Sequence, residues 1–231
     1  MCGFIGAFFY NTVSAEKIRK IEKAGGILAH RGPDAHGFYR EGPVVFSHWR
    51  LSVLDLSPAG KQPMFTPDSR YCILYNGEVY NYRELKKRYD LAEDSAFHSA
   101  TDTEVVLRLF EKEGVESFAL LKGMFALSIW DSRRRELFLT RDPFGIKPLF
   151  YLDDGNAFWF SSEIKALLLA GAAAPRPDRR ALLRYLQFDY IPGEMTAFEG
   201  IKEIRPGHWM KVSGEGSASP QSFWSWPTRN E

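Results

Sequence analysis

The sequence predicts a layered α+β protein, and three observations support this. Strand-like apolar runs follow one another in groups instead of alternating with helices, which argues against a doubly wound βαβ fold. Neither GxGxxG nor GxxxxGK followed by Ser or Thr occurs, so no phosphate-cradling loop is indicated. The 231 residues are 45% hydrophobic and 15% aromatic, enough to collapse around a sizeable core and too much for a disordered chain.

The elements can be justified in order. Cys2–Phe9 is an unbroken apolar run and predicts a buried strand. Ser14 is a candidate N-cap, with Ile18, Ile21 and Ala24 at helical spacing and Gly25-Gly26 as the stop. Phe38–Arg40 and Val44–Trp49 flank Glu41-Gly42-Pro43, a hairpin pattern. Tyr71–Tyr75 predicts a strand that ends at Asn76-Gly77, and Tyr82–Tyr89 a short helix. TDTE at 101–104 has the form of a capping box, in which Thr101 caps the third helical amide and Glu104 reaches back; Val105, Val106, Leu109 and Phe110 then line one face. Strands follow at Phe125–Trp130, Glu136–Thr140, Leu149–Leu152 and Ala157–Ser161, then a helix at Glu163–Ala170. An Ala/Pro-rich connector (Gly171–Asp178), a helix (Arg180–Gln187), a strand (Trp209–Val212) and a Gly/Ser-rich tail (Gly214–Ser222) complete the reading, with aromatic residues crowded at Phe223–Pro227.

Charge and cysteine usage exclude several classes. Lys and Arg total 30 against 29 Asp and Glu, a net charge of +1, without the basic excess of an electrostatic nucleic-acid binder. No apolar run reaches the ~18–20 residues that span a membrane, and MCGFIGAFFY has neither the basic start nor the long apolar stretch of a signal peptide. The two cysteines, Cys2 and Cys72, lack CxxC spacing, and the five histidines lack HExxH spacing; no metal is expected, and a reducing, cytoplasmic compartment is. Cys72 reads as a buried, inert strand residue and Arg133-Arg134-Arg135 as a solvated hairpin turn.

Cys2 directly follows Met1, and a small second residue permits removal of the methionine. The freed residue would carry a thiol and an α-amine together, with ordinary pKa values of about 8.5 and 7.7–8.0, so the amine can take the thiol proton near neutral pH. Cys2 has a second reading, and by position alone the better supported one, as a small buried residue opening a strand. Asn76-Gly77 is open in the same way: it fits a plain turn, or a side-chain NH2 and an unobstructed backbone N–H aimed at an oxyanion. Asp102 fits a helix start, where a carboxylate is favoured by the helix dipole.

The motifs MCGFIGAF, LAHRGPDAHG, SHWRLSVLD, QPM, YNGEVYNY, TDTE, GMFALSIWD, LFLTRDPFGIKPLFY and FSSEIKALL occur in that order. Together they resemble the class II glutamine amidotransferase domain of asparagine synthetases, closely over Cys2–Lys165 and more loosely to Trp224. The hexosamine-6-phosphate synthases share the N-terminal Cys and an Asn-Gly pair, but HWRLSVLD, YNGEVYN and RDPFGIKPL are more similar to the asparagine-synthetase branch. The resemblance implies a four-layer αββα sandwich of the N-terminal nucleophile hydrolase type and hydrolysis of L-glutamine through a thioester to glutamate and ammonia.

It also implies roles. Cys2 is the nucleophile, and Asn76 and Gly77 form the oxyanion hole. Arg50 pairs with the substrate carboxylate, since guanidinium binds carboxylate through two parallel hydrogen bonds. Asp102, with Glu78, takes the α-ammonium. Backbone groups of Leu51, Val53 and Leu54 supply the remaining contacts, and the Val53 and Leu54 side chains are expected in the core. The His30, Arg31 and Asp34 segment is a loop that shapes the site and faces a partner domain, and His48 is structural.

The implied amidotransferase domain covers residues 2–212, with 213–231 starting a linker toward a C-terminal synthetase domain. That domain, and with it ATP and Mg, would lie outside this sequence, and no cofactor is expected within it. A homodimer is a further expectation. The alternatives are the amidotransferase domain of a related amide-forming enzyme, a stand-alone glutaminase, and a non-catalytic scaffold domain; the joint presence of Cys2, Arg50, Asn76 and Asp102 argues against the last. Phe223, Trp224 and Trp226 suggest a docking face, or else fold back onto the domain's own core.

Overall fold

A computed structural model describes residues 1–91 and 97–226. In chain order the strands are β1 (Gly3–Phe9), β2 (Ala35–Glu41), β3 (Val44–Arg50), β4 (Met64–Phe65), β5 (Tyr71–Val79), β6 (Gly123–Asp131), β7 (Glu136–Arg141), β8 (Phe150–Asp153), β9 (Ala157–Ser161), β10 (Lys202–Glu203), β11 (His208–Ser213), β12 (Gly216–Ser217) and β13 (Gln221–Ser222). The helices are α1 (Ala15–Gly25), α2 (Tyr82–Arg88), α3 (Asp102–Glu113), α4 (Ile164–Ala170) and α5 (Arg179–Phe188). Two antiparallel sheets result. One runs β10-β8-β9-β1-β3-β2, the other β12-β11-β7-β6-β5-β4 with β13 also on β11.

The period-two geometry of a strand explains the layers. On β1, Phe4 and Phe8 point into the space between the sheets, where they meet Cys72 and Leu74 of β5 and Ala126 and Trp130 of β6. Ile5, Ala7 and Phe9 point the other way, onto Ile18 and Ile21 of α1 and Ala166 and Leu167 of α4. On β5, Ile73 and Tyr75 face Val105, Leu109 and Phe110 of α3. A strand buried on both faces must be apolar throughout, which is why Cys2–Phe9 shows no alternation. The order of layers is therefore helix, sheet, sheet, helix, as the resemblance implies.

Local signals are realised where local partners suffice. Ser14 Oγ accepts from Lys17 N at 3.3 Å, and the β2–β3 hairpin pairs in register from Ala35↔Arg50 to Glu41↔Val44. Three readings change. The TDTE box is half formed: Thr101 Oγ1 accepts from Glu104 N at 3.3 Å, but the Glu104 carboxylate accepts from His98 N and Ser99 N at 3.0 and 2.6 Å instead of reaching Thr101. Asn76-Gly77 neither ends a strand nor makes a turn. β5 runs on to Val79 because β6 pairs with it through Asn76↔Ala126 and Gly77↔Phe125. The stretch read as a tail carries β12 and β13, both hydrogen-bonded to β11.

The aromatic end divides. Phe223 packs on Phe118 and Phe125 in the domain's own core, while Trp226, 69% exposed, stacks with Trp224 and Phe144 at the surface. Pro227 and residues 228–231 of the expected linker lie outside the described residues. No helix among the described residues is long and apolar enough to cross a membrane.

Candidate active site

Cys2 sits immediately before β1, at one end of the sandwich. Its Sγ is bracketed by the main chain of Leu51, accepting from Leu51 N at 3.4 Å and donating to Leu51 O at 3.8 Å. Its carbonyl accepts from Arg31 Nε at 2.9 Å, and Arg31 Nη1 is held by Glu163 at the start of α4, 2.9 Å away. His30 Nε2 and Lys165 Nζ reach the same carboxylate. Asp34 Oδ2 accepts from Ser52 N at 2.7 Å. The HRGPD segment thus shapes the site by holding its walls. Burial pushes the Cys2 thiol above its ordinary pKa, partly opposed by the Leu51 backbone and the Arg50 charge.

A cavity beside Cys2 is lined by Arg50, Leu51, Val53, Leu54, Gly77, Glu78 and Asp102, together with Gln62, Tyr75, Thr101 and Thr103. The edge of β5 forms one wall. Phe125, opposite Gly77, commits both main-chain groups to Asp142, donating to Oδ2 at 3.2 Å and accepting from Asp142 N at 2.8 Å. The alternation of an antiparallel ladder then turns the Gly77 N–H away from β6. On that same edge Tyr75 N donates to Gln62 Oε1 at 2.6 Å and Val79 N to Asp102 Oδ2 at 2.8 Å. The Gly77 N–H lies between these two satisfied donors and faces the cavity. Gly77 lacks a side chain for β6's sake: a Cβ there would sit 2.5 Å from Met124 O.

Asn76 is fully buried, on the face of β5 that looks between the sheets, and does not line the cavity directly. Neither its Oδ1 nor its Nδ2 has a hydrogen-bond partner among the described residues. A buried amide left unpaired is costly, of order 1–3 kcal/mol per group, and calls for a functional account.

Asp102 is the first residue of α3 and 4% exposed. Its Oδ2 accepts from Tyr75 Oη at 2.6 Å and Val79 N at 2.8 Å. Burial raises its pKa despite these bonds, and burial followed by repulsion from Asp102 raises that of Glu78. Two carboxylates therefore face one cavity, with the Arg50 guanidinium among its other lining groups.

Arg50 ends β3. Its Nη1 donates to Ser57 O at 2.9 Å and its Nη2 to Asp55 O, so the guanidinium ties down the 51–57 loop and, among the described residues, retains three of its five N–H donors. Asp55 fastens the loop to the α3 side by accepting from Ala100 N at 2.9 Å; its carboxyl is held down to about 2, first by its bonds with Ser57 and then by Ala100. Gly60 makes room, since a Cβ there would lie 2.1 Å from Arg50 Nη2. The loop corrects one expectation. Val53 is 64% exposed, and Leu51 and Leu54 are also exposed, because the loop lies over the mouth of the cavity and not against the core.

His48 is buried against Phe4, with Nε2 3.1 Å from Tyr75 O, and burial pushes its pKa down to about 4. It is a neutral tie between the sheets, as expected. Burial raises the Cys72 thiol well above the ordinary range. The turn at 133–135 is hung on Asp131, and Arg133 pairs with Asp68. Sequence reasoning assigned no role to Gln62, Tyr75, Gly60 or Lys147. Gln62 lies in the QPM motif, and that was the only available signal for it.

Comparison with known proteins bears on the family and the fold. A family model described as a glutamine amidotransferase domain matches residues 1–224. Asparagine synthetase (glutamine-hydrolyzing) 1 of Bacillus subtilis is 34% identical over 96% of this chain and 35% of its own length, and asparagine synthetase (glutamine-hydrolyzing) 3 of the same organism 37% identical over 94% and 35%. Amidase chry2 of Gibberella zeae is 32% identical over 93% of the chain and 31% of its own length. The chain thus spans about a third of these relatives. Among solved structures, the glutamine phosphoribosylpyrophosphate amidotransferase of B. subtilis superposes with a TM-score of 0.70 over 96% of this chain and 49% of its own, at 20% identity, and shares the fold.

Proposed function

The chain belongs to the glutamine amidotransferase domain family, and from that premise we propose that it hydrolyses the side-chain amide of L-glutamine at Cys2. The observation that carries the proposal is the convergence on one cavity of a thiol, an outward-facing Gly77 N–H, a guanidinium and two carboxylates. With Met1 removed, the Cys2 α-amine takes the thiol proton and the sulfur attacks the amide carbon. The oxygen becomes an oxyanion, stabilised by Gly77 N–H at the cavity wall, with the buried, unpartnered amide of the adjoining Asn76 turning to it as the second donor. Each such donor is worth ~3–4 kcal/mol. Collapse expels ammonia, which leaves with the proton held by the amine. Water then cleaves the thioester to glutamate and returns a proton to sulfur. Arg50 takes the substrate carboxylate, Asp102 and Glu78 the ammonium, and main-chain groups of Leu51, Val53 and Leu54 the rest. The step draws on no cofactor.

The names of the B. subtilis relatives support a finer reading, in which the ammonia serves ATP-dependent amidation of aspartate in a C-terminal synthetase domain with its own ATP and Mg. The exposed Phe144 and Trp226, packed with the half-buried Trp224, and the exposed Ile146 nearby in sequence support docking of such a domain. The amidase name of the Gibberella relative favours a second reading, in which a related glutaminase unit serves another amide reaction. Glutamate release from glutamine, followed in protein shown by intact mass to begin at Cys2 and with a chelator present, tests the first step. Full activity in the Cys2→Ala variant would refute it.

A further inference from the structure

Lys147 has no part in the mechanism just described, yet its side chain reaches Met1, the residue next to the nucleophile. It is 4% exposed. The loop that carries it is held by Asp142, whose carboxylate accepts from the amides of Phe144, Ile146 and Lys147, each at 3.0 Å. Arg141 Nε holds the Lys147 carbonyl at 2.7 Å. The main chain that carries the side chain is therefore fixed. Among the described residues its Nζ has one hydrogen-bond contact, Met1 Sδ at 2.9 Å. A buried ammonium is costly unless paired, and this one approaches a thioether that is lost when the methionine is removed. It ends one methionine side chain away from the Met1–Cys2 peptide.

We propose that Lys147, with Arg31, forms a positively charged wall against the Cys2 amine and holds that amine in its neutral, proton-accepting form. This rests on the glutaminase reading and adds to it a positioning residue for the base. The charges around the chain start agree with the assignment. The amine at Met1 lies below its ordinary pKa, first through burial and then through Arg31 and Lys147, with Cys2 and Asp34 opposing. Lys147 is itself lowered by burial and Arg31, against Asp142, Cys2 and Glu78. Asp142, already bound to four main-chain amides, opposes Lys147, and Glu163, 2.9 Å from Arg31, opposes the guanidinium. Glu78, which lines the cavity, partly offsets the Lys147 charge. A neutral amine is what the chemistry needs, because the thiol is protonated and an ammonium could not take its proton.

The test is a pH titration of the α-amine by NMR, in protein that carries 15N-cysteine and begins at Cys2 by intact mass. The parent midpoint should lie below the ordinary ~7.7–8.0. Lys147→Gln should raise it by about half to one pH unit, the order expected for removing one nearby, partly screened charge. Lys147→Arg should leave it within ~0.2, and the acid limb of kcat/KM for glutamine should move with it. A parent midpoint at or above the ordinary value overturns the inference even if Lys147→Gln fails to fold. So does an unmoved midpoint in a folded Lys147→Gln variant. The titration needs no turnover: normal titration without glutamine hydrolysis would sink the glutaminase reading alone, and hydrolysis with an unshifted amine this inference alone.

Discussion

Replacing Asp102 by Asn separates substrate recognition from folding. The Asn side-chain oxygen can still accept from Tyr75 Oη and Val79 N, which the carboxylate now does at 2.6 and 2.8 Å, so the local structure should persist. What is lost is charge. A hydrogen bond to a charged group contributes ~1.5–3 kcal/mol, and the full Coulomb attraction for an ammonium at ~4 Å with an effective dielectric of ~20 is ~4 kcal/mol. Glutamine affinity, read by calorimetry on a Cys2→Ser background, should fall about 10- to 1,000-fold. The free protein should respond oppositely. Burial raises the Asp102 pKa in the folded state, so the parent is penalised as pH rises through that value. Asp102→Asn should therefore melt above the parent at pH 7, with the gap closing below about pH 4, where the carboxyl is protonated folded and unfolded alike. Unchanged glutamine affinity in a folded Asp102→Asn variant would refute the ammonium-site argument.

Cys2→Ser should abolish glutamate release yet keep glutamine affinity within about threefold, because the thiol acts on the bond and not on the amino-acid head; calorimetry beside the assay reads both. Gly60→Ala places a Cβ against Arg50 Nη2 and should raise KM for glutamine by about tenfold, with kcat changed less than twofold. Asp142→Ala removes the acceptor of four main-chain amides at a fully buried site and should cost about 3–5 kcal/mol in urea denaturation. Trp226→Ser, at a 69% exposed site, should leave the stability of this domain within about 0.5 kcal/mol.

The elements legible in sequence are those whose causes are local. Ser14 caps α1 with its own hydroxyl, and the apolar faces of α1 and α3 follow helical spacing. Elements set by distant partners were misread. Asn76-Gly77 carries a turn signal, but pairing with β6 keeps it extended, and Glu104 leaves the capping box because the His98 and Ser99 amides compete for its carboxylate. Residues 213–222 have little apolar character, and it is β11 that organises them. In the site, Cys2, Arg50 and Asp102 were legible through motifs, since no spacing rule brings together residues so far apart. Val53 and Leu54 were read as core from their apolarity, yet the loop holds them over the cavity. Lys147 lay inside a quoted motif without a role, because its significance is where its Nζ ends.

The most direct measurement of the central claim is a peptide map after treatment with a glutamine analogue that carries a diazoketone in place of the side-chain amide. Such a reagent needs the amino-acid head to be recognised and a thiol to displace nitrogen, forming a stable thioether. In protein beginning at Cys2, one adduct should form on Cys2, excess glutamine should suppress it, and Asp102→Asn should form it far more slowly. Labelling that glutamine does not suppress, or that leaves Cys2 unmodified in folded protein, would contradict the assignment of this cavity as a glutaminase site.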